Sequence, residues 1–298
     1  MNPTAQHQLQ LRLLFDADLR ARLRADPDAA LAGLDPADAA VFRGMDLDGL
    51  ELDAQGRARY LMSALGRAWP VSMAALGAAL GPAALSAFLA TPALFLPMGP
   101  RTLAFGAHLQ GLLDRLPEPG LVDLLGPTLS LEQGLAQNAA NLREAVARGA
   151  RIPPPQAWSK GDLKRKQICF APFSGVAVLP QPSEVLAAAL DHPSAEDPWT
   201  PVALGRASVA RLISVARAEP SPVTVVFRGV AGATTLERAG AGGLMPVTEV
   251  RHLRAELRGR KDAWLSSLDG SFGLADLPPA QERLARSLLE AGLLTLAG

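Results

Sequence analysis

Leucines recur three and four residues apart from Leu9 to Leu23, with arginines and aspartates between them, and that spacing predicts an amphipathic helix over residues 7–32. Asp26-Pro27 and Asp35-Pro36 each read as an N-cap followed by proline in the first helical position, which starts short helices to Leu31 and over 37–42. A turn is expected at 46–49, then a helix over 53–67. Pro70 forces a new start, because proline inside a helix removes a hydrogen bond. Helices follow over 71–80, 82–89, 100–116 and 131–147. β-branched residues are scarce throughout and strict alternation is absent, so residues 1–150 read as an all-helical domain.

Pro153, Pro154 and Pro155 then break the pattern with a stiff extended spacer, and residues 151–166 read as a proline-rich, basic linker carrying Lys160, Lys164, Arg165 and Lys166. Beyond it the period changes. Residues 167–170 and 176–179 read as short strands and 183–190 as a helix with Ser183 at its N-cap. Residues 209–215 favour a strand, because a turn at 219–222 precedes a clear strand at 223–227. A turn at 229–232 leads to a third strand, 234–238. Gly240, Gly242 and Gly243 make a loose loop, and a helix begins near Pro246. A helix ending in Leu268-Asp269-Gly270 and an amphipathic helix over 281–291, stopped by Gly292, complete the chain. The expected class is α+β: an all-helical domain followed by residues 167–298, a small antiparallel sheet with a winged-helix-like end.

Composition changes little in this picture. Hydrophobic residues make up 49% of the 298 and charged residues 19%, enough apolar surface for a sizeable core. Lys+Arg and Asp+Glu number 29 each, so bulk charge gives a nucleic-acid partner no support. The stretch 71–98 is rich in Ala and Leu, but Pro82, Pro92 and Pro97 interrupt it before any membrane-spanning length accumulates. With a single cysteine, Cys169, and no basic-then-apolar start, a cytoplasmic protein is expected.

Candidate chemistry is sparse. His7, His108, His192 and His252 form no metal-ligating pattern; His108 reads as a core or groove histidine and His252, between Arg251 and Arg254, as a solvated one. Cys169 lies between Ile168 and Phe170 with no basic helix terminus to stabilise a thiolate. The glycines at 240, 242 and 243 lack the Lys-Ser/Thr of a phosphate loop. No catalytic residue, metal ligand or cofactor is therefore assigned. A binding role has better support, since a small sheet leaves a strand edge that an extended peptide can pair with. The candidate edge is Val223, Val225 and Phe227 with Thr234, Leu236 and Arg238. Arg251, Arg254 and Arg258, at i, i+3 and i+7 of the expected neighbouring helix, form a cationic row for an acidic peptide.

The run Trp264-Leu265-Ser266-Ser267-Leu268-Asp269-Gly270, followed by Leu284, Leu288, Leu289 and Gly292-Leu293-Leu294, resembles PqqD-like recognition domains, which hold leader peptides of ribosomally made, post-translationally modified peptides. Leu13 to Arg22, Asp26 to Leu31, and Tyr60-Leu61 with Arg67 and Trp69-Pro70 resemble the helical segment of partner proteins of multinuclear non-heme iron oxidative enzymes. Together these resemblances imply a non-catalytic accessory subunit. It would bind a precursor peptide, hold the enzyme through one domain with Tyr60, Arg67 and Trp69 as candidate contacts, and leave the iron to the partner. The competing expectation is a winged-helix transcriptional regulator with a helical sensor domain, in which residues 251–261 would supply the basic recognition helix.

Overall fold

The structure is a computed structural model that describes residues 9, 10, 12–151, 162–192, 199, 207–239 and 243–297, with only the backbone for 164–165, 233–239 and 243–247. The N-terminal helices are α1 (Ala17–Ala25), α2 (Pro27–Ala30), α3 (Pro36–Arg43) and α4 (Leu47–Gly66). An aspartate caps each one. Asp16 accepts from Leu19 N at 2.8 Å, Asp26 from Ala29 N at 3.0 Å, Asp35 from Ala37 N at 2.9 Å, and Asp46 from Gly49 N at 3.0 Å. These side chains satisfy amides that a helix start leaves orphaned. The continuous helix expected over 7–32 is therefore divided at Asp16 and Asp26. The turn expected at 46–49 is instead the capped first turn of α4.

Next come α5 (Pro70–Leu80), α6 (Pro82–Ser86), two 3-10 turns (Ala87–Ala90 and Pro92–Phe95), α7 (Met98–Leu113) and α8 (Pro119–Ala147). At 29 residues α8 is the spine of the molecule, about 43 Å long at 1.5 Å per residue. It starts well before the expected residue 131 and runs through Pro127. The lost hydrogen bond is outweighed by burial on both sides of the proline, at Leu121, Leu124, Leu125, Leu129 and Leu131.

The second half holds α9 (Asp162–Arg165), β1 (Gln167–Phe170), β2 (Ser174–Leu179), α10 (Ser183–Leu190), α11 (Val209–Arg217), β3 (Val223–Ala239), β4 (Gly243–Arg258), α12 (Asp262–Ser266), β5 (Asp269–Gly273), α13 (Pro279–Glu290) and β6 (Leu294–Ala297). The fold is α+β, with two three-stranded antiparallel sheets ordered β2-β3-β4 and β5-β1-β6 among the described residues.

Three further sequence expectations need correction. Residues 209–215 are helical: Val209, Leu212, Ile213 and Ala216 fall on one face of α11, and Leu212 is buried. The turn expected at 229–232 is absent, since β3 continues through it with a register irregularity between Ala231 and Thr234. The helix expected from Pro246 is the strand β4.

The β2-β3-β4 sheet is covered on both faces. Val223, Val225 and Phe227 face the helical body and join its core with Leu65, Leu125 and Leu135. Val226, between them, faces the C-terminal unit and packs with Ile168, Leu265, Leu268 and Leu288. One hydrophobic core thus contains residues from both sides of the proline-rich stretch.

Candidate peptide-binding and docking surfaces

Val223, Val225 and Phe227 are not at an edge. Between Val223 and Arg228, β3 is paired to β2 on one side and to β4 on the other. Phe227 is buried and sits in a slot between two glycines: a Cβ on Gly134 of α8 would lie 2.7 Å from its Cζ, and one on Gly175 of β2 would lie 2.5 Å from it. These three residues are core, and the edge assignment moves elsewhere. Thr234, Leu236 and Arg238 lie further along β3, in register with Thr248, Pro246 and Leu244 of β4, where β2 no longer pairs. Their side chains lie outside the described residues.

Both β2 and β4 are outer strands of this sheet among the described residues, and β4 is the longer edge. It is 16 residues long and paired only to β3 among the described residues. Because it is a strand, its arginines do not form a row. Arg254 and Arg258 stand opposite Phe227 and Val223, and so share the face toward the helical body. Arg251 stands opposite Val230 on the other face, exposed and 3.5 Å from the Glu249 carboxylate. His252 is held rather than solvated. Its Nε2–H donates to Leu135 O of α8 at 3.1 Å, and burial, with the Arg254 and Arg143 charges behind it, lowers its pKa to about 4. Arg143 Nε adds a second tie from α8, donating to Thr248 O at 3.3 Å.

The expected enzyme-facing residues separate. Trp69 is fully buried; its Nε1–H donates to Thr102 O at 3.1 Å and its ring lies over Gly106, where a Cβ would approach within 2.2 Å. It is a core residue. Arg67 is exposed at the C-cap of α4. Tyr60 is 74% exposed and borders a groove of about 950 Å³. Leu52, Gly56 and Tyr60 of α4 form one wall of that groove, and Leu94, Phe95, Met98 and Arg101 form the other. Sequence reasoning missed it because its walls lie some forty residues apart in the chain. The one local signal was the spacing of Leu52, Gly56 and Tyr60 on a single helix face.

Ionisable groups in the interior serve the fold. Glu132 of α8 is fully buried and accepts from Val71 N at 2.7 Å and Ser72 N at 3.1 Å, capping α5 in place of a local side chain. Burial outweighs those hydrogen bonds and raises its pKa to about 7. His108 Nε2 lies 3.0 Å from Ala84 O, with its ring against both Phe88 and Phe105, which also touch each other. Cys169 is half-buried, and burial pushes its thiol pKa up. No group of three metal-ligating side chains is assembled among the described residues, and no described helix is long and apolar enough to cross a membrane. No family model, curated protein or solved structure matches the chain.

Proposed function

We propose that this chain is a non-catalytic accessory subunit that binds a ribosomally made precursor peptide and presents it to a separate multinuclear non-heme iron oxidative enzyme, which modifies a Cys or Asp of that peptide. The observation that carries this reading is the open edge of β4. An extended peptide laid beside it would gain main-chain hydrogen bonds from a strand whose other edge is already paired. Arg251 and Arg258, exposed on opposite faces of that strand, would offer charge to acidic side chains alternating along the peptide. This chain's part is binding and orientation, and the redox chemistry is the partner's.

A proline scan of β4 over residues 249–257 tests the edge, read by fluorescence anisotropy with a labelled precursor. Prolines whose missing N–H faced β3 will destabilise the fold. Those whose N–H faced outward will leave the melting temperature near wild type and lower peptide affinity at least tenfold. Unchanged affinity at every outward position sinks the proposed site.

A further inference from the structure

The groove beside α4 has features that neither the core nor the β4 edge accounts for. Leu52 and Tyr60 are each 74% exposed, and Phe95 and Met98 on the facing wall are 39% and 48% exposed. Isolated apolar side chains at a surface need no explanation, but a facing set around a concavity marks a contact surface. Leu52 and Tyr60 stand on one wall of that concavity. A polypeptide laid over it covers both.

Gly56 is the second feature. It lies inside a 20-residue helix, on the groove side, and a Cβ there would meet nothing within 4 Å. Glycine at an exposed helix interior disfavours the helix relative to alanine. Gly106, Gly134, Gly175 and Gly49 make room for Trp69, Phe227 and the capping Asp46 carboxylate; Gly99 and Gly111 of α7 are open like Gly56, but Gly56 differs from those two in lining the groove. Nothing in the described structure fills the dent that Gly56 leaves between Leu52 and Tyr60.

Charge is the third. Arg57 on the α4 wall is already paired, 2.8 Å from Asp53. Arg101 on the facing wall donates from Nε to Leu96 O at 3.0 Å and has no carboxylate within 4.0 Å among the described residues, while burial lowers its pKa. A partly buried guanidinium without a counter-charge favours an anionic visitor.

We propose that this groove receives an amphipathic helix of the partner enzyme, with a bulky apolar side chain seated over Gly56 and a carboxylate against Arg101. This rests on the accessory-subunit reading and gives that subunit a docking surface separate from its peptide edge. The α4 wall from Gly49 to Leu61 spans about 18 Å, the length of roughly three turns of a visiting helix.

The test co-expresses the full tagged chain with candidate multinuclear non-heme iron enzymes and short peptides drawn from neighbouring genes. It compares wild type with Gly56→Leu and Arg101→Glu, and checks that melting temperatures are preserved. Both variants are expected to lower enzyme recovery at least tenfold while precursor affinity, measured by anisotropy, stays within twofold. A photo-cross-linking residue at Leu52 should join a helix of the enzyme that carries an acidic residue, and reversing that acid's charge should restore binding to Arg101→Glu. Wild-type recovery by both variants overturns the groove, as does a cross-link to a second copy of this chain. If the wild-type chain recovers no iron enzyme at all, the accessory-subunit reading fails and the groove proposal falls with it. The two failures differ in whether enzyme comes down with the wild type.

Discussion

Phe227 shows how one side chain can change meaning between sequence and structure. In sequence it is a strand aromatic available to a ligand; in the fold it fills a slot that Gly134 and Gly175 leave open. Phe227→Ala will therefore act on stability, lowering it by about 3–5 kcal/mol through the cavity it leaves, as read from chemical denaturation. Any loss of peptide binding by that variant would report unfolding. Glu132 and His252 make a second prediction. The folded pKa of Glu132 is raised from 4.5 to about 7, so its contribution is present below pH 4.5 and lost as pH rises through 7. That of His252 is lowered from 6.5 to about 4, so its contribution is present above pH 6.5 and lost as pH falls through 4. The slopes are opposed and each amounts to about 3 kcal/mol across its window. Wild-type stability should be nearly flat from pH 4.5 to 6.5. Glu132→Gln should expose a stability that rises with pH there, and His252→Gln one that falls. Parallel slopes in the two variants would show that these side chains do not titrate as their surroundings require.

At the scale of elements, α4 offers a clean measurement. Gly56→Ala adds a methyl where nothing lies within 4 Å and should raise stability by about 1 kcal/mol in urea unfolding, since the helix gains propensity and loses no contact. A loss of stability would mean that the space beside Gly56 is occupied in the free protein. Local chemistry made the Asp26 and Asp35 caps, β1 and the last helix legible in sequence, because an Asp-Pro start or a short apolar run depends on its neighbours alone, while the Asp16 and Asp46 caps were hidden within an expected helix and an expected turn. β4 was legible and misread. Leu253, Ala255 and Leu257 alternate as a strand does, but Arg251, Arg254 and Arg258 at helical spacing suggested a helix face. The central position of β3 could not be read locally, since it depends on β2, some fifty residues earlier, pairing Gly175 opposite Phe227. The groove was hidden for the same reason, and of its lining residues Tyr60 alone was a candidate contact.

Across the whole molecule, the β2-β3-β4 sheet couples the two halves. Its odd-numbered β3 residues Val223, Val225 and Phe227 belong to the helical core, and Val226 belongs to the C-terminal core, so neither face of the sheet can be exposed without opening a hydrophobic cluster. Arg228, at the end of the central pairing, is buried and donates from Nη1 to Gly292 O at 2.7 Å, fastening the turn between α13 and β6 to the sheet. The proline-rich stretch therefore does not imply independent unfolding on either side of it. Trp69 lies in the helical core and Trp264 packs against the C-terminal one, so their separate fluorine NMR signals in a chain labelled with fluorotryptophan report the two regions within one molecule. Their thermal midpoints should coincide in the otherwise unaltered chain, as expected for a cooperative unit. Arg228→Leu removes a charged hydrogen bond of about 1.5–3 kcal/mol from the junction and should bring the Trp264 transition below that of Trp69. If the two midpoints already differ before Arg228 is changed, the sheet does not transmit stability between its faces. The peptide edge and the helical groove would then sit on separately folding parts.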